Sequence, residues 1–216
     1  LWLQFQSLTV PVIFVTGSDT DVGKTHVAGW LAQRLAQDGF TQVIKPVESG
    51  VALPHDARLA AGDWAEAHTL VSLPAPLAPL TAAKLARQSF SFKTLLKLYR
   101  QVPAAPCRVI EGAGGLSVPL DKTGRDWADF IQAIQPDVVV VVVPDRLGAI
   151  NQARLTMAYL RRVYDGPAGV WLNAVQGQPS RAVAQSNREG LKASGIPLLG
   201  QSRYGAKRPA FLDLAL

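Results

Sequence analysis

Nine consecutive residues, Gly17-Ser18-Asp19-Thr20-Asp21-Val22-Gly23-Lys24-Thr25, restrict this chain more than any other feature. They follow an apolar run over 10–15 and open a segment with helical periodicity. A strand, a loop ending in Gly-Lys-Thr and a helix, in that order, make a phosphate-binding loop. The strand delivers the chain to a sheet edge, and loop N–H groups wrap around phosphate oxygens. The helix behind them aims its positive dipole end at the same anion. Lys24 reaches the β- and γ-phosphates as a point charge, and the Thr25 hydroxyl can take a place on Mg²⁺. The spacing has one irregularity: Ser18 stands where the first glycine usually does, and Gly17 lies one residue earlier. The competing reading is a glycine-rich turn ahead of an ordinary helix. The order of strand, loop, Gly-Lys-Thr and helix argues against it.

The rest of the chain alternates strand and helix. Strands are expected over 10–15, 41–46, 107–111, 137–143, 168–173 and 197–200. Helices are expected over 25–37, 56–67, 81–87, 92–100, 127–134, 148–163 and 180–193, with a proline-rich loop over 73–79. The run over 138–143 is all valine, which fits a central parallel strand buried on both faces. Alternating strands and crossovers imply a mostly parallel sheet with helices on both faces, in one domain over 1–216. In such a sheet ligands sit beyond the carboxyl ends of the strands. Five polar or glycine-rich segments fall there: 17–25, Lys45-Pro46-Val47-Glu48-Ser49-Gly50, Glu111-Gly112-Ala113-Gly114-Gly115, 146–151 and Asn173.

Composition excludes several classes. Apolar residues make up 48% of the 216 and charged residues 18%, which argues against a disordered or membrane-embedded chain. The valine run is far too short to span a bilayer. The apolar start, Leu1 to Phe5, lacks a basic flank and a small-residue cleavage site, so it is not read as a signal peptide. The one cysteine, Cys107, cannot form an internal disulfide and fits a reducing, cytoplasmic setting. Three scattered histidines show no structural-zinc spacing. The net charge of +6 suggests anionic partners. Without a long basic run, nucleic acid is not expected, and Arg161-Arg162 and Lys207-Arg208 read as solvated charges.

Taken together, the motifs resemble the dethiobiotin synthetase family. The resemblance rests on Gly17 to Thr25, Lys45-Pro-Val-Glu-Ser-Gly50, Ile110-Glu-Gly-Ala-Gly-Gly115 with Val118-Pro-Leu120, Leu147-Gly-Ala-Ile-Asn151 and Trp171-Leu-Asn173. It runs from about residue 10 to about 200, and order and spacing together are far more specific than any one motif. It implies a P-loop NTPase-type α/β fold of three layers and a homodimer. It also implies Mg-dependent conversion of 7,8-diaminopelargonate, CO₂ and a nucleoside triphosphate to dethiobiotin, nucleoside diphosphate and phosphate.

The resemblance assigns roles residue by residue. Lys24, Lys45 and Thr20 are implied to be catalytic. Asp21, Val22, Gly23, Lys24, Thr25 and Asn173 are implied to hold the nucleotide, Asn173 at the base. Ser49, Gly114, Gly115, Leu147, Gly148, Ala149, Ile150 and Asn151 are implied to hold the substrate, the last five around its carboxylate tail from the partner subunit. Thr25, Asp56 and Glu111 are implied to ligate Mg²⁺. Competing readings stay open: Lys45 as a solvent-facing lysine, Asp56 as only a helix N-cap, Asp21 as only a shaper of the loop. ATP is the expected nucleotide, although Gln201-Ser202-Arg203-Tyr204 departs from the pattern that frames the base, so another triphosphate could serve. A cobyrinate-type amidoligase would need a longer chain with a glutaminase domain. A partition or septum-positioning ATPase would carry a signature lysine early in the loop, where Asp19 stands.

Overall fold

The computed structural model describes residues 12–51, 53–88, 90–206 and 209. In chain order the elements are β1 (Val12–Gly17), α1 (Lys24–Leu35), β2 (Thr41–Lys45), β3 (Glu48–Ser49), α2 (Asp56–Ala61), β4 (Glu66–Thr69), β5 (Ser72–Leu73) and α3 (Pro79–Leu85). They continue as α4 (Phe92–Gln101), β6 (Cys107–Glu111), α5 (Trp127–Ile134), β7 (Val138–Pro144), α6 (Ala149–Leu160), β8 (Ala168–Asn173), α7 (Arg181–Ala193) and β9 (Leu198–Ser202). Seven strands form one sheet in the order β4-β2-β6-β1-β7-β8-β9. Every pairing in it is parallel. β3 and β5 pair in parallel as a separate two-stranded ribbon.

Alternation along each strand divides the interior in two. Phe14, Ile44, Ile110, Val139, Val141 and Val143 face a core built with helices α3 to α7. Ile13, Val15, Val43, Val109, Val140 and Val142 face α1 and α2. The helices thus cover both faces, and β7 is buried from end to end. Three helices start at side-chain caps. Ser91 accepts from the Thr94 N–H, Ser180 from the Val183 N–H, and Asp126 completes a capping box with Asp129. Each such cap contributes about 1 kcal/mol. Among the described residues no helix is long and apolar enough to cross a membrane.

Most expected elements lie within two or three residues of the observed ones, a normal scatter for helix and strand ends. The helix expected over 56–67 is the main departure. It stops at Ala61, because Gly62 takes φ +53° and turns the chain out of the helix. Glu66–Thr69 then pairs with β2 as the edge strand β4. The proline-rich loop expected from residue 73 begins as β5. Residues 10 and 11 of the first expected strand, the Leu1 to Phe5 segment and Lys207-Arg208 lie outside the described residues.

Candidate active site

The sheet order explains how charges far apart in sequence meet. β2 and β6 are neighbours, with Ile44 opposite Ile110. Both isoleucines face the α3–α7 side. The next residue on each strand, Lys45 and Glu111, therefore projects to the other face, where α1 and α2 begin. The Lys45 Nζ donates to Glu111 Oε1 at 2.5 Å and lies 2.8 Å from Asp56 Oδ2. Thr25, in the first turn of α1, donates its hydroxyl to the same Glu111 oxygen at 2.9 Å. Lys45 is 3% exposed and Glu111 1%, so this is a buried charge cluster, not a surface pair. Asp56 is the first residue of α2, and its carboxylate is engaged with Lys45.

The two lysines titrate in opposite directions. Burial disfavours the Lys45 charge, but Glu111 and Asp56 outweigh it and raise its pKa. Lys24 is also buried, and burial lowers its pKa to about 8. Glu111 opposes that shift, while Lys45 adds to it. The Lys24 ammonium donates to the Asp19 carbonyl at 2.9 Å.

One glycine leaves no room for a side chain, and a second marks where two loops pack together. Gly23 has φ +86°, and a Cβ there would lie 2.0 Å from Asn173 Nδ2. That amide donates to the Val22 carbonyl at 2.9 Å and braces the phosphate loop from β8. At Gly115 a Cβ would lie 3.4 Å from the Ser18 carbonyl oxygen, so the loop after β6 packs directly on the phosphate loop. Two bonds fix that loop: Leu116 N–H donates to Gly17 O at 3.1 Å, and the Trp127 indole N–H to Ala113 O at 2.7 Å. Thr20 is exposed in the phosphate loop, and its Oγ1 lies 3.7 Å from where a Cβ of Gly114 would stand. Asp21 is exposed at φ +55°. The Ser49 hydroxyl is buried and without a partner among the described residues.

The segment 147–151 is arranged differently. Gly148, at φ +95°, caps α6, and Leu147, Gly148 and Asn151 are exposed. Ala149 is buried and Ile150 half-buried; Ser18 Oγ and Gln152 Oε1, 3.5 Å apart, connect the phosphate loop to this helix start. The structure therefore gathers Lys24, Thr25, Lys45, Asp56 and Glu111 into one cluster. Leu147 and Asn151 face outward from it.

The cluster suits a hard divalent cation. Glu111 Oε2 is buried with no hydrogen-bond partner among the described residues, so a bound group there would satisfy it. The Thr25 hydroxyl on Oε1 of the same carboxylate and the Asp56 carboxylate on Lys45 are the further oxygens of the cluster. No set of three His, Cys, Asp or Glu that could hold a metal is found among the described residues. Magnesium takes oxygen ligands and keeps several waters, so an acidic and hydroxyl oxygen set beside a phosphate loop is chemically compatible with it.

Comparison with known proteins places the chain. Residues 12–204 match a family model described as an AAA domain. The chain is 33% identical over 199 residues to the ATP-dependent dethiobiotin synthetase of Bacillus subtilis (strain 168), covering 87% of this chain and 84% of the relative. It is 38% identical over 176 residues to that of Paramagnetospirillum magneticum, covering 78% and 79%. The chain belongs to the dethiobiotin synthetase family. The solved structures that resemble it include a plasmid partition protein of Borrelia burgdorferi B31 bound to AMPPNP. That match has TM-score 0.60 at 14% identity and covers 96% of this chain and 93% of the other. A ParA family ATPase of Chlorobium tepidum TLS follows at TM-score 0.55 and 13% identity, covering 89% and 84%. At such identities the likeness shows the fold alone, the three-layer P-loop architecture. For this dethiobiotin synthetase family member, sequence reasoning passed over Glu48 and His55, which touch each other and the backbone of Asp56. Their only signal was an acid inside the Lys45 to Gly50 motif and a histidine just before Asp56.

Proposed function

We propose that this chain is a Mg-dependent dethiobiotin synthetase. One amine of 7,8-diaminopelargonate captures CO₂, loses a proton and becomes a carbamate. A carbamate oxygen then attacks the γ-phosphate of ATP and displaces ADP. The second amine attacks the carbonyl carbon of the resulting mixed anhydride, expels phosphate and closes the cyclic urea. Two anions must approach each other for the phosphoryl step, so fixed positive charge is the central requirement. The observation that carries this reading is Lys45, a buried ammonium held between Asp56 and Glu111 beside the phosphate loop. Lys45 serves the carbamate and Lys24 the β- and γ-phosphates. Thr20 and Ser49 hydrogen-bond the reacting amine and carbamate, with Gly114 and Gly115 at the same wall. Asp21, Val22 and Gly23 line the phosphates, and Asn173, whose Nδ2 also braces Val22, is assigned to the nucleotide base. Thr25, Asp56 and Glu111 would hold the Mg²⁺, which when bound neutralises charge on the phosphate oxygens.

The carboxylate tail is assigned to the start of α6 in a partner copy, through 147–151. Exposure of Leu147 and Asn151 supports that assignment, and so does the position at a helix start, although the Ala149 N–H donates to the Arg146 carbonyl at 3.1 Å. The working state is then a cytoplasmic homodimer, with ATP as the default nucleotide and no membrane or nucleic-acid partner. Incubation of the protein with the diamine, bicarbonate, Mg²⁺ and ATP is expected to yield dethiobiotin by mass spectrometry, with one phosphate released per product. Phosphate release indifferent to the diamine would reject the assignment. Asn151→Ala is expected to raise the diamine KM much more than the ATP KM. Equal effects on both would remove Asn151 from the tail site.

A further inference from the structure

Asp56 reaches Lys45 from a helix only six residues long, at the end of a loop that begins at Gly50. Something must hold that helix start in place. The N-cap residue, His55, gives no side-chain cap to the helix. Glu48 supplies the missing acceptor from outside. Its Oε1 accepts the Asp56 backbone N–H at 3.0 Å, and its Oε2 lies 2.7 Å from His55 Nδ1. The Glu48 side chain is 6% exposed and that of His55 32%, so both bonds are partly sheltered from water. Both of its oxygens are occupied by this helix start. In contrast, Glu111 has one oxygen without a partner among the described residues.

Glu48 is itself rigidly carried. Its N–H donates to Val71 O at 2.9 Å, and Gly50 N–H donates to Leu73 O at 3.0 Å, through the β3–β5 ribbon. A chain of contacts therefore runs from the ribbon through Glu48 to Asp56 and on to Lys45. We propose that Glu48, gripping His55 and the Asp56 amide, is a positioning residue that sets the Asp56 carboxylate against Lys45 and toward the metal. It touches no reacting atom and acts through Asp56. This rests on the reading of Asp56 as part of the Mg²⁺ and carbamate site.

A double-mutant cycle tests it on the full chain, with Mn²⁺ binding read as a paramagnetic probe beside a non-hydrolysable ATP analogue and kcat read separately with ATP and Mg²⁺. Glu48→Ala is expected to weaken Mn²⁺ binding roughly 10-fold and to lower kcat by a comparable factor, as loss of a supporting partner typically does. Glu48→Gln keeps an acceptor for the Asp56 N–H and is expected to stay within about threefold of the parent. Metal-free affinity for the analogue is expected to be unchanged in both variants, which shows that each is folded. In an Asp56→Ala background, Glu48→Ala is expected to add nothing to either readout. Parent-like Mn²⁺ binding and kcat in Glu48→Ala would overturn the proposal, as would full additivity of the two substitutions in kcat. If Asp56→Ala leaves Mn²⁺ binding untouched, the metal assignment of Asp56 fails separately. The kcat cycle alone then decides the role of Glu48, non-additivity supporting it and additivity ending it.

Discussion

Replacing Lys45 by Gln is expected to lower turnover on the order of 10²-fold or more, with ATP affinity within a factor of about three of the parent. The charge is aimed at the point where carbamate and phosphoryl group meet, so its absence is felt in the transition state and little in nucleotide binding. Folding also loses something. Glu111, 1% exposed, keeps Thr25 as its one side-chain donor among the described residues once the ammonium is gone. Removal of one partner from a buried ion pair typically costs about 3–5 kcal/mol, and the Gln amide recovers part of it by hydrogen bonding. Steady-state kinetics beside nucleotide titrations and thermal melts separate the two effects. Normal turnover in a folded Lys45→Gln protein would make Lys45 a bystander.

Lys24→Ala is expected to weaken ATP binding roughly 10²-fold or more, because it deletes a charge-assisted contact to two phosphates at once. The low pKa of the native residue adds a second observable. Free Lys24 loses its proton near pH 8. A bound triphosphate favours the charged form and pulls that pKa back up. Binding above about pH 8 must then take up a proton, and affinity must fall as pH rises. For stability the sign is opposite. Between about pH 8 and the unfolded lysine pKa near 10.5 the unfolded chain holds the extra proton, so the Lys24 contribution becomes less unfavourable as pH rises. Calorimetric titration of ATP at pH 9 in two buffers of different ionisation enthalpy measures the proton count. A count of zero would show that Lys24 stays charged before the nucleotide arrives.

The charge cluster was legible because three apolar strands each run straight into polar residues. Val15-Thr16-Gly17, Ile44-Lys45 and Ile110-Glu111 say where each strand ends, and a parallel sheet puts those ends on one edge. The alternation then decides the face. The edge strand β4 was not legible. Four residues, Glu66-Ala67-His68-Thr69, carry too little hydrophobic signal, and the helical pattern from Asp56 reads as continuous until Gly62 is known to have a positive φ. Charged residues on such a strand are what an edge tolerates. Glu48 was hidden for another reason. Its partners lie seven and eight residues on, across a loop with no periodicity to read. Asn173 was legible as an amide at a strand end. That its Nδ2 turns inward to brace the phosphate loop follows from the gap at Gly23, which only packing reveals.

The brace from Asn173 to Val22 spans 151 positions of the chain. A nascent polypeptide that has already produced Lys24, Lys45 and Glu111 owns every ionic group of the cluster, yet its anion cradle still lacks a back wall. The β8 strand provides it, so ATP is expected to protect chains that end beyond Asn173 more than chains that end before it.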